Sequence, residues 1–186
     1  MSKSFIGIYD NALTKHECEI LISQFEKSSP VWGMTVKDGK PTLNFNHKKC
    51  MQLDGPKLSD NSAMSHIIRE AVNKCFHKYK KDYPALPENI IPLKINDIYS
   101  FKKFEYDDDG YKVWHCEKGQ GHTASRSLVW SFYLNNAKAG TELMYYPTIR
   151  AKMGRGVIFP ADWTHLHRSA PNKGLKYFVS GWISHE

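Results

Sequence analysis

The chain has 186 residues, 41% hydrophobic and 13% aromatic, enough apolar surface to close the core of one domain of ordinary size. With 24% charged residues and a formal net charge of +7, the composition excludes a wholly disordered chain. No run approaches the roughly 20 apolar residues that cross a bilayer, and the opening MSKSFIGIYDNAL lacks the tripartite order of a secretion signal, so a cytoplasmic protein with no membrane span is expected.

Thr14 is followed three residues later by Glu17, a capping-box spacing, and Cys18, Leu21, Ile22 and Phe25 then recur at helical period. The spacing predicts an amphipathic helix that ends by Pro30. Residues 31–58 carry Gly33, Gly39, Pro41, Gly55 and Pro56 between short apolar runs and read as short strands and mobile loops, a candidate substrate-side region. From Ser59 a second helix is expected, with Met64, Ile67, Ile68, Ala71, Val72, Cys75 and Tyr79 on one stripe, stopping at Pro84.

After Pro92 the pattern changes to short β-type runs: 94–106, 111–117, 126–135, 141–146, 148–153, 155–160 and 175–183. The acidic run Asp107–Asp109 before Gly110 reads as a hairpin tip. The fold class expected is α+β, one domain over 1–186, with helical support over about 10–84 and a β sandwich or barrel over about 92–183. Cys18, Cys50, Cys75 and Cys116 form no C-x-x-C pair and are expected as free thiols. The lysine excess is spread along the chain; it permits an acidic partner such as nucleic acid but favours a solvated surface.

Three places carry chemistry. His115 and Glu117 flank Cys116 at the end of a strand-like run, so a period of two puts both on one face, where they can grip one metal. Taken singly, such a pair is an ordinary surface feature. Some fifty residues on, His165 and His167 offer a further imidazole, and two histidines with one carboxylate make a facial triad that leaves open positions on ferrous iron. In the last strand Lys176, Phe178, Ser180 and Trp182 share a face; a lysine on an apolar inward face requires a negative partner, which a substrate carboxylate supplies. On another strand Ser127, Val129, Ser131 and Tyr133 share a face, with a phenol able to hydrogen-bond that ligand.

In order along the chain, Trp114-His115-Cys116-Glu117, Arg126 through Asn135, Gly140-Thr141-Glu142-Leu143, Phe159-Pro160, His167 through Pro171, Gly174, Lys176-Tyr177 and Trp182 make the sequence resemble the iron(II)- and 2-oxoglutarate-dependent dioxygenases, within them the prolyl-4-hydroxylase-like group. The resemblance spans about 92–183, with an extension to the first helix. It implies a double-stranded β-helix, or jelly roll, flanked by the two N-terminal helices. It implies His115, Glu117 and His167 as catalytic iron ligands and Lys176 as the residue binding the far carboxylate of 2-oxoglutarate, with Tyr133 and Ser180 assisting. Over His165 it selects His167, by the spacing to Pro171 and Lys176. The cofactors implied are Fe(II), 2-oxoglutarate and O2, with ascorbate a candidate reductant, and the coproducts succinate and CO2. The reaction implied is hydroxylation of a C–H bond, nearest a prolyl residue in a peptide or protein, with 31–58 and Asp107–Asp109 as candidate lids. Alternatives kept open are an oxygenase acting on nucleic acid or a free amino acid, and a non-catalytic jelly-roll binding protein. Two positions depart from the family pattern: Glu117 stands where aspartate is commoner, and Phe104 where a cosubstrate-binding tyrosine is frequent.

Overall fold

In the computed structural model, residues 4–37, 39–84, 86 and 92–185 are described; residues 1–3 and 186, the ends of the expected domain, lie outside them. A capping box starts the first helix, α1 (Lys15–Lys27): Thr14 Oγ1 accepts the Glu17 amide at 3.2 Å and Glu17 Oε2 accepts the Thr14 amide at 2.7 Å. Two donors that a helix start leaves open are thereby satisfied. The helix buries Cys18, Leu21 and Phe25. The second helix, α2 (Ala63–Asp82), is capped by Ser62 and begins later than expected, because Ser59 is committed to Asp97 through both its amide and its hydroxyl. Its buried stripe is Ser65, Ile68, Ala71, Val72, Cys75, Phe76 and Tyr79, rotated from the expected one so that Met64 and Ile67 are only partly covered.

The described residues form strands β1 (Gly7–Tyr9), β2 (Val31–Trp32), β3 (Thr35–Lys37), β4 (Lys40–Thr42), β5 (Lys48–Lys49), β6 (Met51–Asp54), β7 (Leu93–Phe104), β8 (Gly110–Tyr111), β9 (Arg126–Tyr133), β10 (Thr141–Leu143), β11 (Tyr146–Ile149), β12 (Gly156–Pro160), β13 (His167–Ser169) and β14 (Lys176–His185). A seven-stranded antiparallel sheet runs β1-β12-β9-β14-β7-β6-β2, and a three-stranded sheet runs β11-β10-β13. The pairs β3–β4 and β5–β8 stand apart from both. This is the jelly-roll arrangement with two helices, as expected.

Three runs expected as strands are otherwise: 141–146 breaks at a turn over 144–145, so that Tyr146 opens β11, and two more depart further. Of 111–117, only Tyr111 lies in a strand and His115 in an isolated bridge, because the amides of Glu117 and Lys118 both turn to a single carbonyl, that of Ala161. Of 148–153, only the first two residues are extended; the chain turns ahead of Gly154, which sits at φ +75°.

Strand alternation divides the molecule into two cores. From β9 the side chains of Leu128, Trp130 and Phe132, and from β14 those of Tyr177, Val179 and Ile183, pack with α1 and α2 on one face of the large sheet. Removing each such side chain from water is worth about 1.5–3 kcal/mol. Gly156 allows the close approach of α2, since a Cβ there would meet Phe132 at 2.7 Å and Cys75 Sγ at 3.1 Å. On the opposite face Val129, Tyr133, Val157 and Phe159 meet Leu143 and Ile149 of the small sheet. The space between the sheets is not filled, and it holds the site.

Candidate metal centre and cosubstrate pocket

The bridge that replaces the expected strand is what assembles the centre. His115 donates its amide to the His167 carbonyl at 3.1 Å, and His167 returns the bond at 2.9 Å, so the two imidazoles sit side by side with centroids 4.4 Å apart. Each ring is fixed by its Nδ1, which faces a backbone carbonyl: Val113 at 3.0 Å for His115 and His165 at 3.1 Å for His167. A carbonyl can only accept, so Nδ1 carries the proton and Nε2 keeps its lone pair. Those two nitrogens lie 3.8 Å and 3.7 Å from Glu117 Oε1. The ligand atoms of His115, Glu117 and His167 all fall within 4.8 Å of one another.

The other carboxylate oxygen of Glu117 is occupied. Oε2 accepts from Arg126 Nη1 at 3.1 Å and from Trp182 Nε1 at 3.0 Å, and the guanidinium stacks 3.6 Å over the Trp182 ring. Burial pushes the carboxyl up, but its neighbours His167, His115 and Arg126 prevail and hold it near 2. Burial, reinforced by His167, takes His115 down to about 4. With Nδ1 of each ring turned to a carbonyl and Glu117 ionised, the centre offers two Nε2 atoms and a carboxylate, the donor set a divalent metal takes.

His165 belongs to a different structure. Its Nε2 donates to the Ser4 carbonyl at 2.8 Å, its Nδ1 takes the Thr164 hydroxyl at 2.9 Å, and its ring stacks on Tyr146. Both nitrogens are spent, so only His167 is free to ligate. Cys116 points away, its thiol donating to the Lys118 carbonyl at 3.3 Å.

The centre opens on a pocket of about 650 Å³, counting the space at its mouth. Tyr133 and Thr141 form part of its wall and share a 2.6 Å hydroxyl bond. Burial, opposed by Thr141, lifts the phenol to about 12, so it stays a donor. Lys176 is 1% exposed and sits just behind this wall. Its ammonium has the Gly140 carbonyl at 3.2 Å and the faces of Phe104 and Phe178 at 4.6 Å and 5.8 Å, and burial draws it down to about 8. Among the described residues no carboxylate pairs with it. The lysine bonds the carbonyl next to Thr141 and lies two residues along β14 from Phe178, the register partner of Tyr133, so a buried ammonium adjoins two hydroxyls, as a carboxylate site needs. Phe104, where the family pattern favours a tyrosine, here supplies an aromatic face to the lysine. Ser180 lines the pocket but accepts from Lys102 at 2.8 Å instead of serving Lys176.

Sequence reasoning missed Thr141, Lys102 and the bond from Trp182 to Glu117. Register across strands would have been needed to find them: Ser180 is level with Ser100 on one side and Ser131 on the other.

Two imidazoles and a carboxylate at the mouth of a jelly roll, above a pocket backed by a buried lysine, are the donor set that a mononuclear non-haem metal site of the oxygenase type uses. Residues 101–184 match the model of the 2OG-Fe(II) oxygenase superfamily, and with the triad this match supports a 2-oxoglutarate-dependent enzyme whose cofactors are Fe(II), 2-oxoglutarate and O2. Among solved structures, the viral collagen prolyl hydroxylase of Paramecium Bursaria Chlorella virus-1 is similar with a TM-score of 0.67 and 16% identity, over 96% of this chain and 95% of that one. The Trichoplax adhaerens prolyl hydroxylase, solved with a hypoxia inducible factor peptide fragment, gives 0.73 and 11%, over 98% and 84%. A Pseudomonas putida prolyl-4-hydroxylase gives 0.67 and 12%, over 99% and 94%. At these identities the likeness is one of fold. No curated protein matches the chain.

The donor set fits the iron of this family. Oε1 of Glu117 and the two Nε2 atoms converge, while every competing atom of the three side chains is tied to protein. No helix among the described residues is long and apolar enough to cross a membrane.

Proposed function

We propose that the protein is a hydroxylase that inserts oxygen into a C–H bond of a prolyl residue in a peptide or protein, releasing succinate and CO2. The observation that carries the reading is the convergence of His115 Nε2, His167 Nε2 and Glu117 Oε1. Iron(II) held by these three atoms supplies the coupling of dioxygen reduction to breakdown of 2-oxoglutarate.

The chain's own residues do the rest. Lys176, Tyr133 and Thr141 bind the distal carboxylate of the cosubstrate and so orient its keto acid end toward the metal ligands. Arg126 and Trp182 hold Glu117 in one rotamer and keep it ionised. Val129, Val157 and Phe159 exclude water from the pocket. The peptide reading is supported by the prolyl hydroxylases among the structural neighbours, one of them peptide-bound. It is also supported by the exposed apolar side chains Val31, Trp32, Met34 and Val36, on the segment that borders the pocket through Lys48. Strands β2–β6 fall within 31–58, and Lys49 pairs with Asp108 at 2.7 Å, so the two candidate lid segments are tied to each other.

The test is an anaerobic titration of metal-free protein with Fe(II) and 2-oxoglutarate, watching for the visible charge-transfer band of the chelated keto acid. The band is expected in the wild type, absent in His167→Ala, and to require far more 2-oxoglutarate in Lys176→Ala. A folded wild type that gives no band defeats the reading.

A further inference from the structure

A second lysine faces the pocket, and the reaction as read above does not use it. Alternation along β7 turns Ser100, Lys102 and Phe104 inward. In register, Ser100, Ser180 and Ser131 form a row of small side chains across β7, β14 and β9, and the Lys102 ammonium rests there. It donates to Ser100 Oγ at 2.7 Å and Ser180 Oγ at 2.8 Å, with the Phe178 ring at 5.3 Å. Both partners are neutral hydroxyls. Lys48, 7% exposed, lines the same pocket and donates to the Met34 carbonyl at 3.2 Å and to the Gln52 side chain, again neutral. Gly33 makes room for it, since a Cβ there would meet Lys48 Cε at 2.7 Å.

The pocket wall carries one acidic residue, Glu117, and that carboxylate is already engaged by Arg126 and by the imidazoles. The wall's remaining cation, Arg168, is paired with Glu142 at 2.7 Å. Among the described residues, then, Lys102 and Lys48 are two ammonium groups at one pocket with no carboxylate partner. Such charges are costly to desolvate and are normally compensated. The 2-oxoglutarate dianion does not compensate them, since its two carboxylates are taken by the metal centre and by Lys176.

We infer that Lys102 and Lys48 form a second anion subsite that binds a carboxylate of the substrate to be hydroxylated. This rests on the oxygenase reading and narrows its substrate class to peptides with an acidic residue, or a free chain terminus, beside the target. Burial and the neighbouring Lys48 charge draw Lys102 down to about 8, the mark of a cation lacking its counter-ion.

Two matched peptide pairs test the inference: acetyl-Ala-Pro-Glu-Ala-amide against its Gln counterpart, and acetyl-Ala-Ala-Pro free acid against its amide. Binding to the metal- and 2-oxoglutarate-loaded protein is measured by calorimetry, which needs no turnover, and succinate release is measured in parallel. At least one acid is expected to bind about tenfold or more tightly than its neutral partner, the worth of a charge-assisted bond. Lys102→Met should collapse that ratio to about twofold or less, Lys102→Arg should retain it, and Lys48→Met should reduce it should the first variant fail to fold. Acid and neutral members binding alike in both pairs overturns the inference, as does a ratio that survives in Lys102→Met. A Lys102→Met effect seen instead on 2-oxoglutarate affinity without peptide overturns it in favour of the cosubstrate's keto acid end. Acid-selective binding without succinate leaves the subsite standing and defeats the oxygenase reading; succinate release without acid preference does the reverse.

Discussion

Trp182 Nε1 donates to Glu117 Oε2 at 3.0 Å, and with Arg126 on the same oxygen this leaves only Oε1 to face His115 and His167. A glutamate has one more rotatable bond than an aspartate, so a ligand of this length needs outside restraint to present one oxygen reproducibly. The restraint comes from β14, whose inward face carries Lys176 at one end of the pocket and Trp182 at the metal end.

Trp182→Phe tests this directly. The ring can still fill the space, but the indole donor is lost. Metal affinity is expected to fall about 10- to 100-fold, the usual cost of losing a hydrogen bond to a ligand. Competition of Fe(II) or Zn(II) against a chromogenic chelator measures it. Unchanged affinity would mean that Arg126 alone restrains Glu117.

The two histidines of the same segment should separate cleanly. His167→Ala removes a ligand and is expected to abolish stoichiometric metal binding. His165→Ala leaves the ligands in place but vacates a buried ring whose nitrogens serve Ser4 and Thr164, so it is expected to cost about 1–3 kcal/mol of stability with one metal still bound per chain. Urea unfolding and metal analysis on both variants check the pair; loss of metal in His165→Ala alone would reverse the assignment.

Much of this site was legible in the chain. Alternation in 126–135 grouped Val129, Ser131 and Tyr133, and alternation in 175–183 grouped Lys176, Phe178, Ser180 and Trp182; side by side on one face of the large sheet, both groups prove to line or back the interior. His115 and Glu117 do point together, yet not because they lie in a strand. The bridge to His167 and the turn of Glu117 toward Ala161 align them, and such pairings between distant segments leave no periodicity. Lys102 was hidden for a related reason. In Phe101-Lys102-Lys103-Phe104 either lysine could face inward, and only the neighbouring strands decide: Lys103 reaches Glu26 of α1, and Lys102 the serine row. Strands of two or three residues, such as β5, β8 and β13, are too short to carry a period and are held by their partners.

The affinity for 2-oxoglutarate should depend on pH through Lys176. Its free-protein value is drawn down to about 8 by burial, so above that pH a growing share of the protein lacks the ammonium that the proposed reading assigns to the distal carboxylate. The dissociation constant is expected to be flat below pH 7 and to rise above pH 8 toward about tenfold per unit, binding then taking up a proton. Lys176→Met should bind weakly and show no such rise. Calorimetry in two buffers of different ionisation enthalpy reports the proton directly, and its absence at pH 9 would show that another cation holds the carboxylate.

Acid should destabilise the metal-free protein in two stages. His115 is lowered from 6.5 to about 4, so between those values the unfolded chain binds the proton that the folded one refuses, and stability falls as pH falls through that window. Glu117 is lowered from 4.5 to about 2, and its contribution, present above 4.5, is lost as pH drops toward 2. Each window spans about 2.5 pH units and is worth on the order of 3 kcal/mol at about 1.4 kcal/mol per unit. Urea midpoints at pH 7, 5 and 3 measure the decline, and His115→Asn should flatten the stage between 6.5 and 4 while keeping the lower one. Metal bound at pH 7 should steepen the upper stage, because both imidazoles must then stay unprotonated for the ion to remain. An identical pH profile in His115→Asn would mean that His115 is protonated as readily in the fold as outside it, and that burial does not hold this imidazole ready for a metal.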